Sequence, residues 1–497
     1  METSLPLLSL LVWLPLLGAL ACLLLRPYAG TGRWAALAVT TAVFTLNLWA
    51  FLASRGLDGW LWQEDHAWIP RYGIRYTLGM DGLSLTLTLL TAFLLIIAVL
   101  ISWRLDVHAH FFFSLLLLIE CGIMGVFLAL DLVLFYLFWE VMLIPMFFLI
   151  GVWGHERRLY AAVKFFLFTL AGSLLMLLAM ITLYLVHGDQ TGHYTFALAA
   201  LVGTELPPGL SWWLFGAFFA AFAVKVPLFP LHTWLPDAHT EAPTAGSIIL
   251  AGVLLKTGVY GLLRFGFPLF PEPAHTCLPM LGALGLIGIF YAAWIAYAQN
   301  DAKRLIAYSS VAHMGFVILG IAAWRTTAME GSLLQMVNHG ITTGALFALI
   351  GMIDTRAHTR EISKLGGLWA KTPVLSAFFL FFALASLGLP GLNNFAGEIL
   401  ILIGTFTAHP AWAILGLVGV LFAAIYMLRL VQGVLWGQPP SSQDWADISW
   451  RETIILVPLA LLVLWLGLYP HPFLEALRDP VQRLLLGSTL AGLGGMP

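Results

Sequence analysis

Seven ionisable side chains lie deep within long apolar runs of this 497-residue sequence: Glu120, Glu140, Lys225, Lys256, His313, His339 and Glu398. A charge at the centre of a membrane helix costs at least about 2.5–3.5 kcal/mol on insertion scales, so these groups require a use. Removal from water disfavours the charged form of carboxylates and amines alike, which brings both within reach of proton exchange. Imidazole needs little help to do the same. Two uses fit. Glu140 and Lys225 can form a structural pair that holds two helices together. Alternatively the whole set is a chain of proton-exchanging groups, and its spread over at least six apolar runs favours that use.

In such a chain, Glu140 near Lys225 keeps the lysine protonated, and moving the two apart releases the proton towards Lys256. The pair titrates as a unit. Lys256 lies in AGVLLKTGVYGLL between Gly252 and Gly258, whose size admits a close helix or water. Glu398, in FAGEILIL, is the terminal exchanger. His313 has Ser309 and Ser310 beside it, and His339 has Asn338, Thr342 and Thr343. Taken singly, each histidine fits a satisfied structural role; taken with the lysines and acids, both fall on the route. Glu120 is an entrance group or a second partner for Lys225.

Broken helices must position these groups. In AFAVKVPLFPLHTWLPDAHTEAPTAGS (221–247), Lys225 stands two residues before Pro227, and Pro230, Pro236 and Pro243 follow. Proline removes a backbone donor and crowds the preceding turn, so the helix breaks where its charge lies. The acids Asp237 and Glu241 have no Lys or Arg within this downstream stretch. Intramembrane backbone tolerates such a break only when buried in protein or lining a wet cavity. A second break falls at Leu389-Pro390-Gly391-Leu392-Asn393-Asn394.

The chain is 61% hydrophobic and 10% charged, against about 25% charged in soluble domains. Its apolar runs are long and do not alternate, which predicts helices rather than an outer-membrane-type barrel. The fold class is all-α and polytopic, with about fourteen spans at approximately 5–25, 33–53, 83–103, 111–130, 132–151, 159–186, 212–235, 243–264, 277–299, 303–323, 331–352, 373–406, 411–436 and 452–469. Asp131 marks the turn that divides residues 111–153 into two helices. Segment 54–82 reads as a polar loop, and the residues beyond Pro470 as a short tail. The first run has Glu2 as its only charge and reads as a retained helix, not a signal peptide.

No linker divides the chain, so residues 1–497 form one membrane domain. The two breaks fall in spans seven and twelve, an odd offset that implies two inverted five-helix repeats, 111–264 and 277–436, with the final helix and tail in 437–497. With the N-terminus outside, thirteen Lys and Arg, Lys303 among them, fall in inner loops and seven, Arg264 among them, in outer loops. That bias puts both termini outside, which is periplasmic in a bacterial inner membrane.

Other chemistry finds no support. His232 and His239 are seven apart across Pro236, a poor zinc spacing. Cys22, Cys121 and Cys277 lie far apart, with no metal or disulfide pattern. Phosphate-cradling glycine loops, haem motifs and iron–sulfur signatures are missing from the sequence, so electron transfer is not expected within this chain. A net charge of −2 argues neither for a nucleic-acid partner nor for a strongly charged one, and no nucleic acid is expected.

VKVPLFPLHTWLPDAHTEAPTAGSIILAGVLLKTGVYGLLR (224–264) closely resembles the signature of the antiporter-like subunits of respiratory complex I and of Mrp-type cation/proton antiporters. LFYLFWEVMLIPMFFLIGVWG (134–154) resembles the family's fifth helix and aligns its essential glutamate with Glu140. The family lysines align with Lys225 and Lys256. The twelfth-helix residue is lysine in several subtypes and glutamate in one, and Glu398 matches the latter. The resemblance implies one proton-translocating module of an NADH:quinone oxidoreductase. It also implies L-type and N-type antiporter-like neighbours, surrounding lipids, and FMN, iron–sulfur clusters and quinone held by other subunits. A subunit of an Mrp-type Na⁺/H⁺ antiporter or of a membrane-bound hydrogenase is the alternative, and a non-transporting scaffold a third.

Overall fold

The computed structural model describes residues 6–437, apart from 27 and 29, and residues 445–487. The chain opens with α1 (Leu7–Leu24) and α2 (Thr31–Ala53), then the strands β1 (Leu61–Ile69) and β2 (Ile74–Met80). Four long helices follow: α3 (Gly82–Ile101), α4 (Ala109–Leu128), α5 (Leu132–Trp153) and α6 (Arg158–Thr191). Next come α7 (Pro208–Lys225) and α8 (Trp234–Glu241), the halves of an interrupted helix. The continuous helices α9 (Thr244–Leu269), α10 (Leu278–Ala298), α11 (Ala302–Ala322) and α12 (Thr326–Ala357) come after them. A second interrupted helix, α13 (Pro373–Ser386) with α14 (Asn393–Ala408), precedes α15 (Pro410–Leu435), α16 (Trp450–Leu468) and α17 (His471–Leu485). Twelve of the described helices are long and apolar enough to cross a membrane, and this is a multi-pass membrane protein. The two interrupted helices stand outside that twelve.

Helix starts follow the sequence. Asp81, Asp131 and Asp301 each accept backbone N–H bonds from the first turn of α3, α5 and α11, satisfying donors that a helix leaves open at its N-terminus. Asp131 thus sits at the predicted turn. Both breaks close in the same way. Leu228 N–H donates to Ala223 O (2.8 Å), and Leu389 N–H donates to Leu384 O (3.1 Å). This is the six-residue closure of a helix C-terminus. In α9, wide π turns at Leu250–Leu254 and Leu262–Gly266 flank the turn that carries Lys256. Single π turns inside α-helices commonly mark functional positions.

Two expectations need correcting. Segment 54–82 is not a loop throughout: β1 and β2 pair antiparallel, with His66 opposite Tyr76 and Ala67 opposite Arg75. Polar residues pointing both ways hid the alternation, and cross-strand contacts hold the hairpin, Arg75 Nη2 lying 2.5 Å from Asp65 Oδ2 and Thr77 Oγ1 donating to Asp65 Oδ1 (2.6 Å). The region beyond Pro470 begins with α17 rather than a tail. Phe473, Leu477, Val481 and Leu484 recur at helical spacing and are buried against α3 and α12. Pro472 is tolerated there because the first helical turn has no N–H to lose. The rest of the expected tail, from residue 488, lies outside the described residues.

Burial separates an inner group of helices from an outer one. The most apolar windows of α9, α11 and α12 are 94–100% buried, whereas those of α1, α2, α6, α10, α15 and α16 are 33–44% buried. Lys256, His313 and His339 all lie on the inner group.

Candidate functional site

The first cluster forms where α5 and α7 are both irregular. Pro145 cannot donate to Val141, so α5 is irregular at Met142, next to Glu140, while still running as one span. Gly122 of α4 lies against this bend, where a Cβ would come within 2.8 Å of Met142 N. Glu140 is half-buried and lies beside Tyr136. Lys225 ends α7 and is 1% exposed. Its Nζ has no hydrogen-bond partner and stands 5.1 Å and 5.7 Å from the ring centres of Trp139 and Phe165. Glu140 acts on it through space. The two make no contact ion pair among the described residues. Glu120, fully buried on α4, has neither carboxylate oxygen paired and makes no ion pair with Lys225. The expectation of a direct second partner for Lys225 is not met in this arrangement.

Lys225 and Lys256 are joined by close backbone packing. A Cβ on Gly258 would lie 2.9 Å from both Lys225 Cβ and Val226 N, so only glycine lets α9 touch the end of α7. On the other side of Lys256, a Cβ on Gly340 would meet Gly252 O at 2.8 Å, which draws α9 onto α12. Lys256 Nζ bonds Ala251 O within the π turn and lies 2.7 Å from His339 Nδ1.

From His339 the polar contacts continue. Its ring centre is 5.7 Å from that of His313. His313 Nδ1 lies 3.1 Å from Glu398 Oε1, which also accepts from Gln335 Nε2 at 3.2 Å. Glu398 is held by the second break. Gly388, at φ +82°, places its backbone where a Cβ would be 2.9 Å from Glu398 Oε2. Asn338 and Asn393 exchange side chain-to-backbone bonds of 2.6 and 3.1 Å across α12 and α14, and Thr342 Oγ1 donates to Asn393 Oδ1 at 3.0 Å. Four of the seven predicted residues, Lys256, His339, His313 and Glu398, are therefore one connected set. Glu140 and Lys225 form a looser one beside it, and Glu120 stands alone. His339 Nε2, Gln335 Oε1, Asn338 Oδ1 and Asn394 Oδ1 are buried without partners, which is where ordered water is expected.

Sequence reasoning missed three groups. His239, weighed only as a zinc ligand, is fully buried with both ring nitrogens unpaired and stacks on Phe347 at 4.7 Å. Lys256 and Lys303 are the cations whose charges reach it. Lys303, counted as a loop cation, is 3% exposed and donates to Ala242 O at 2.5 Å. Arg264, also counted in a loop, is buried on α9 and pairs with Asp81 at 2.6 Å beside Tyr260. His239 lies in a proline-rich stretch, Arg264 in an apolar one and Lys303 in the polar run QNDAKR, and in none does the local spacing give a clue to the burial.

Around α8, cations come from elsewhere in the chain. Asp237 pairs with Lys164 (2.7 Å) and Arg304 (3.6 Å), and Glu241 Oε2 accepts from Arg157 N–H (2.9 Å). Arg360 Nη1 donates to Thr240 O (2.8 Å). His155 lies in this rim; burial, then the charges of Lys303 and Arg360, hold its imidazole below the usual range. The candidate metal residues form no cluster of three or more His, Cys, Asp or Glu among the described residues.

The family described as "NADH:quinone oxidoreductase/Mrp antiporter, TM" matches residues 129–423. NADH-quinone oxidoreductase subunit M of Pseudomonas aeruginosa is 45% identical, with 98% of this chain and 99% of the relative covered. A chain in the structure of respiratory complex I from Thermus thermophilus with bound NADH superposes with a TM-score of 0.87 at 34% identity, covering 96% of this chain and 99% of that one. A chain of the Mrp complex from a Dietzia species superposes with a TM-score of 0.85 over 98% and 99% of the two chains, but at 21% identity shares the fold alone. With the interrupted helices, the buried lysines and Glu398 in place, the chain belongs to the NADH:quinone oxidoreductase/Mrp antiporter membrane family, in its subunit M branch.

Proposed function

We propose that this chain is the proton-translocating membrane-arm subunit of an NADH:quinone oxidoreductase and that its protons move through the buried Glu, Lys and His side chains. The observation that carries this is the series Lys256–His339–His313–Glu398, hydrogen-bonded at its two ends (2.7 and 3.1 Å) with the two imidazole ring centres 5.7 Å apart between them. Proton exchange needs groups within hydrogen-bond reach or one water apart, and every step but the ring-to-ring one is direct. Lys225, held without a hydrogen bond, waits on Glu140: bringing the carboxylate closer favours the charged lysine, and withdrawing it releases the proton towards Lys256. His239, between Lys303 and Lys256, extends the route to the rim around α8.

The topology follows the loop charges: the α8 rim faces the cytoplasm, the hairpin faces the periplasm, and both termini lie outside the bacterial inner membrane. Moving Arg264 and Lys303 out of the loop count takes one residue from each side and leaves the bias unchanged. The matching closures of the two breaks support the inverted repeats 111–264 and 277–436, with the breaks as crossings seven and twelve. FMN, iron–sulfur clusters and quinone then belong to other subunits, and L-type and N-type chains flank this one. The identity to subunit M favours this assignment over an Mrp antiporter.

His339→Leu interrupts the set at its middle without adding a charge. In sealed vesicles carrying the intact complex, this variant is expected to lower the protons taken up per NADH oxidised. An unchanged ratio in a fully assembled complex would overturn the route.

A further inference from the structure

A cleft of about 400 Å³ opens on the flank of the molecule, within the roughly 300–1,000 Å³ range of ligand sites. It exists because α2 and α16 both pack on α3 but make no extended contact with each other. Its walls are apolar, with Phe44 and Leu48 on one side and Leu461 and Trp465 on the other, and its floor includes Val337 and Ile341. Leu461 and Trp465 are 61% and 40% exposed, so the cleft opens on the outer surface of this chain.

At its hairpin end, Phe51 lines both this cleft and a second cavity of about 260 Å³. The second cavity is polar. Arg55 and Asp58 come from the loop after α2, and Glu475 and Arg478 from α17. Asp479 is already engaged by Gly59 N–H and Arg483 Nε. Arg55, Asp58 and Arg478 make no ion pair among the described residues, and Glu475 Oε2 lies 3.9 Å from His471 Nδ1. Two guanidinium groups and two carboxylates therefore stand at the mouth of an apolar slot.

We propose that the paired cavities bind one zwitterionic glycerophospholipid with a primary ammonium headgroup. One acyl chain lies in the slot. The phosphate faces Arg55 and Arg478, where planar guanidinium donors match its oxygens. The ammonium faces Asp58 and Glu475, so the mouth matches both charges of the headgroup; a headgroup carrying only negative charge would leave the carboxylates opposed. The chain would bear on functional parts. Val337 and Ile341 flank His339 on α12, and Leu90 of the cleft touches the position where Gly340 packs on Gly252. A filled slot thus braces the α12 turn against α9 from behind, keeping Lys256 and His339 in contact.

The test uses the intact complex, wild type and with Arg55→Ala/Arg478→Ala or Leu89→Trp in this chain. Leu89 of α3 also lines the slot, so Leu89→Trp fills it and leaves the headgroup residues in place. Native mass spectrometry of the gently solubilised complex counts tightly bound phospholipid, and add-back of dioleoylphosphatidylethanolamine or dioleoylphosphatidylglycerol follows detergent stripping. One fewer bound phosphatidylethanolamine in both variants is expected, with wild-type NADH:quinone turnover restored by that lipid and not by the glycerol lipid. Equal lipid counts in all three complexes, or equal rescue by both lipids, would overturn the site. Loss in the arginine variant alone would also overturn it, because the slot would then hold no chain.

Discussion

At the first break, Pro227 ends α7 directly after Lys225, and the lysine is left facing aromatic rings with no hydrogen bond. At the second, Pro390 lies before α14 and the ionisable group, Glu398, sits inside the following half-helix, bonded to His313 and Gln335. The two breaks share a closure yet place their charges on opposite sides of the gap. The difference is one of satisfaction. A buried charge without partners is held by fields that change when a neighbour moves. A carboxylate with partners from two other helices has a fixed resting place. On the proposed route, the first break would let go of a proton and the second receive one.

The largest effect is expected at the unsatisfied end. Lys225→Ala or Glu140→Gln should lower proton-coupled NADH oxidation about tenfold or more, with the complex assembled. Lys225→Arg sharpens the contrast, since arginine keeps the charge but does not release a proton. It should stay near the alanine rate, and near-normal proton uptake would make the lysine a structural cation instead. Glu398→Gln should cost less, a several-fold loss, because glutamine still accepts from Gln335 and keeps the shape. In the Lys225→Ala background it should cost little more, as members of one route are not additive; full additivity would put the breaks on separate paths.

Geometry comes next. Gly388→Ala puts a Cβ at φ +82°, 2.9 Å from Glu398 Oε2, and is expected to cost about 1–2 kcal/mol and to slow turnover. A thermal shift in detergent checks the first part. The smallest effect is a control outside both breaks. Burial opposes ionisation of Asp65, but bonds from Arg75 and Thr77 and the Arg75 charge outweigh it and hold the carboxyl below its ordinary value. Its stabilisation is present above the unfolded pKa and is lost as pH falls through the lower folded one. Asp65→Asn should remove this acid dependence, about 0.2–1 kcal/mol by hydrogen exchange of the hairpin, and leave proton uptake unchanged.

Much of this arrangement was legible because prolines and lone charges are loud in an apolar chain. Pro227 and Pro390 located the breaks, and Lys256, His313, His339 and Glu398 stood out as groups that apolar surroundings penalise. What could not be read was pairing over long distances. Nothing near Asp237 announces Lys164, and nothing in residues 221–247 announces that His239 stacks on Phe347. The hairpin was hidden because its strands carry polar residues on both faces. The helix α17, expected as a short tail beyond Pro470, was hidden because Phe473, Leu477, Val481 and Leu484 keep helical spacing among polar residues and prolines rather than in an apolar run.

The buried Asp81–Arg264 pair also bears on how the chain is made. Its partners are 183 residues apart in sequence, which at roughly 5–20 residues per second is about 10–40 s of synthesis. Until α9 is complete, Asp81 has only the first turn of α3 to bond, so the start of that helix must wait at the wet edge of the bilayer. When Arg264 arrives, it brings the charge that lets both groups leave water, and the hairpin end of α3 can seal against α9. The hairpin face therefore depends for its seal on a residue made just past the middle of the chain, and Arg264→Ala should expose that face to added protease in sealed membranes more than wild type.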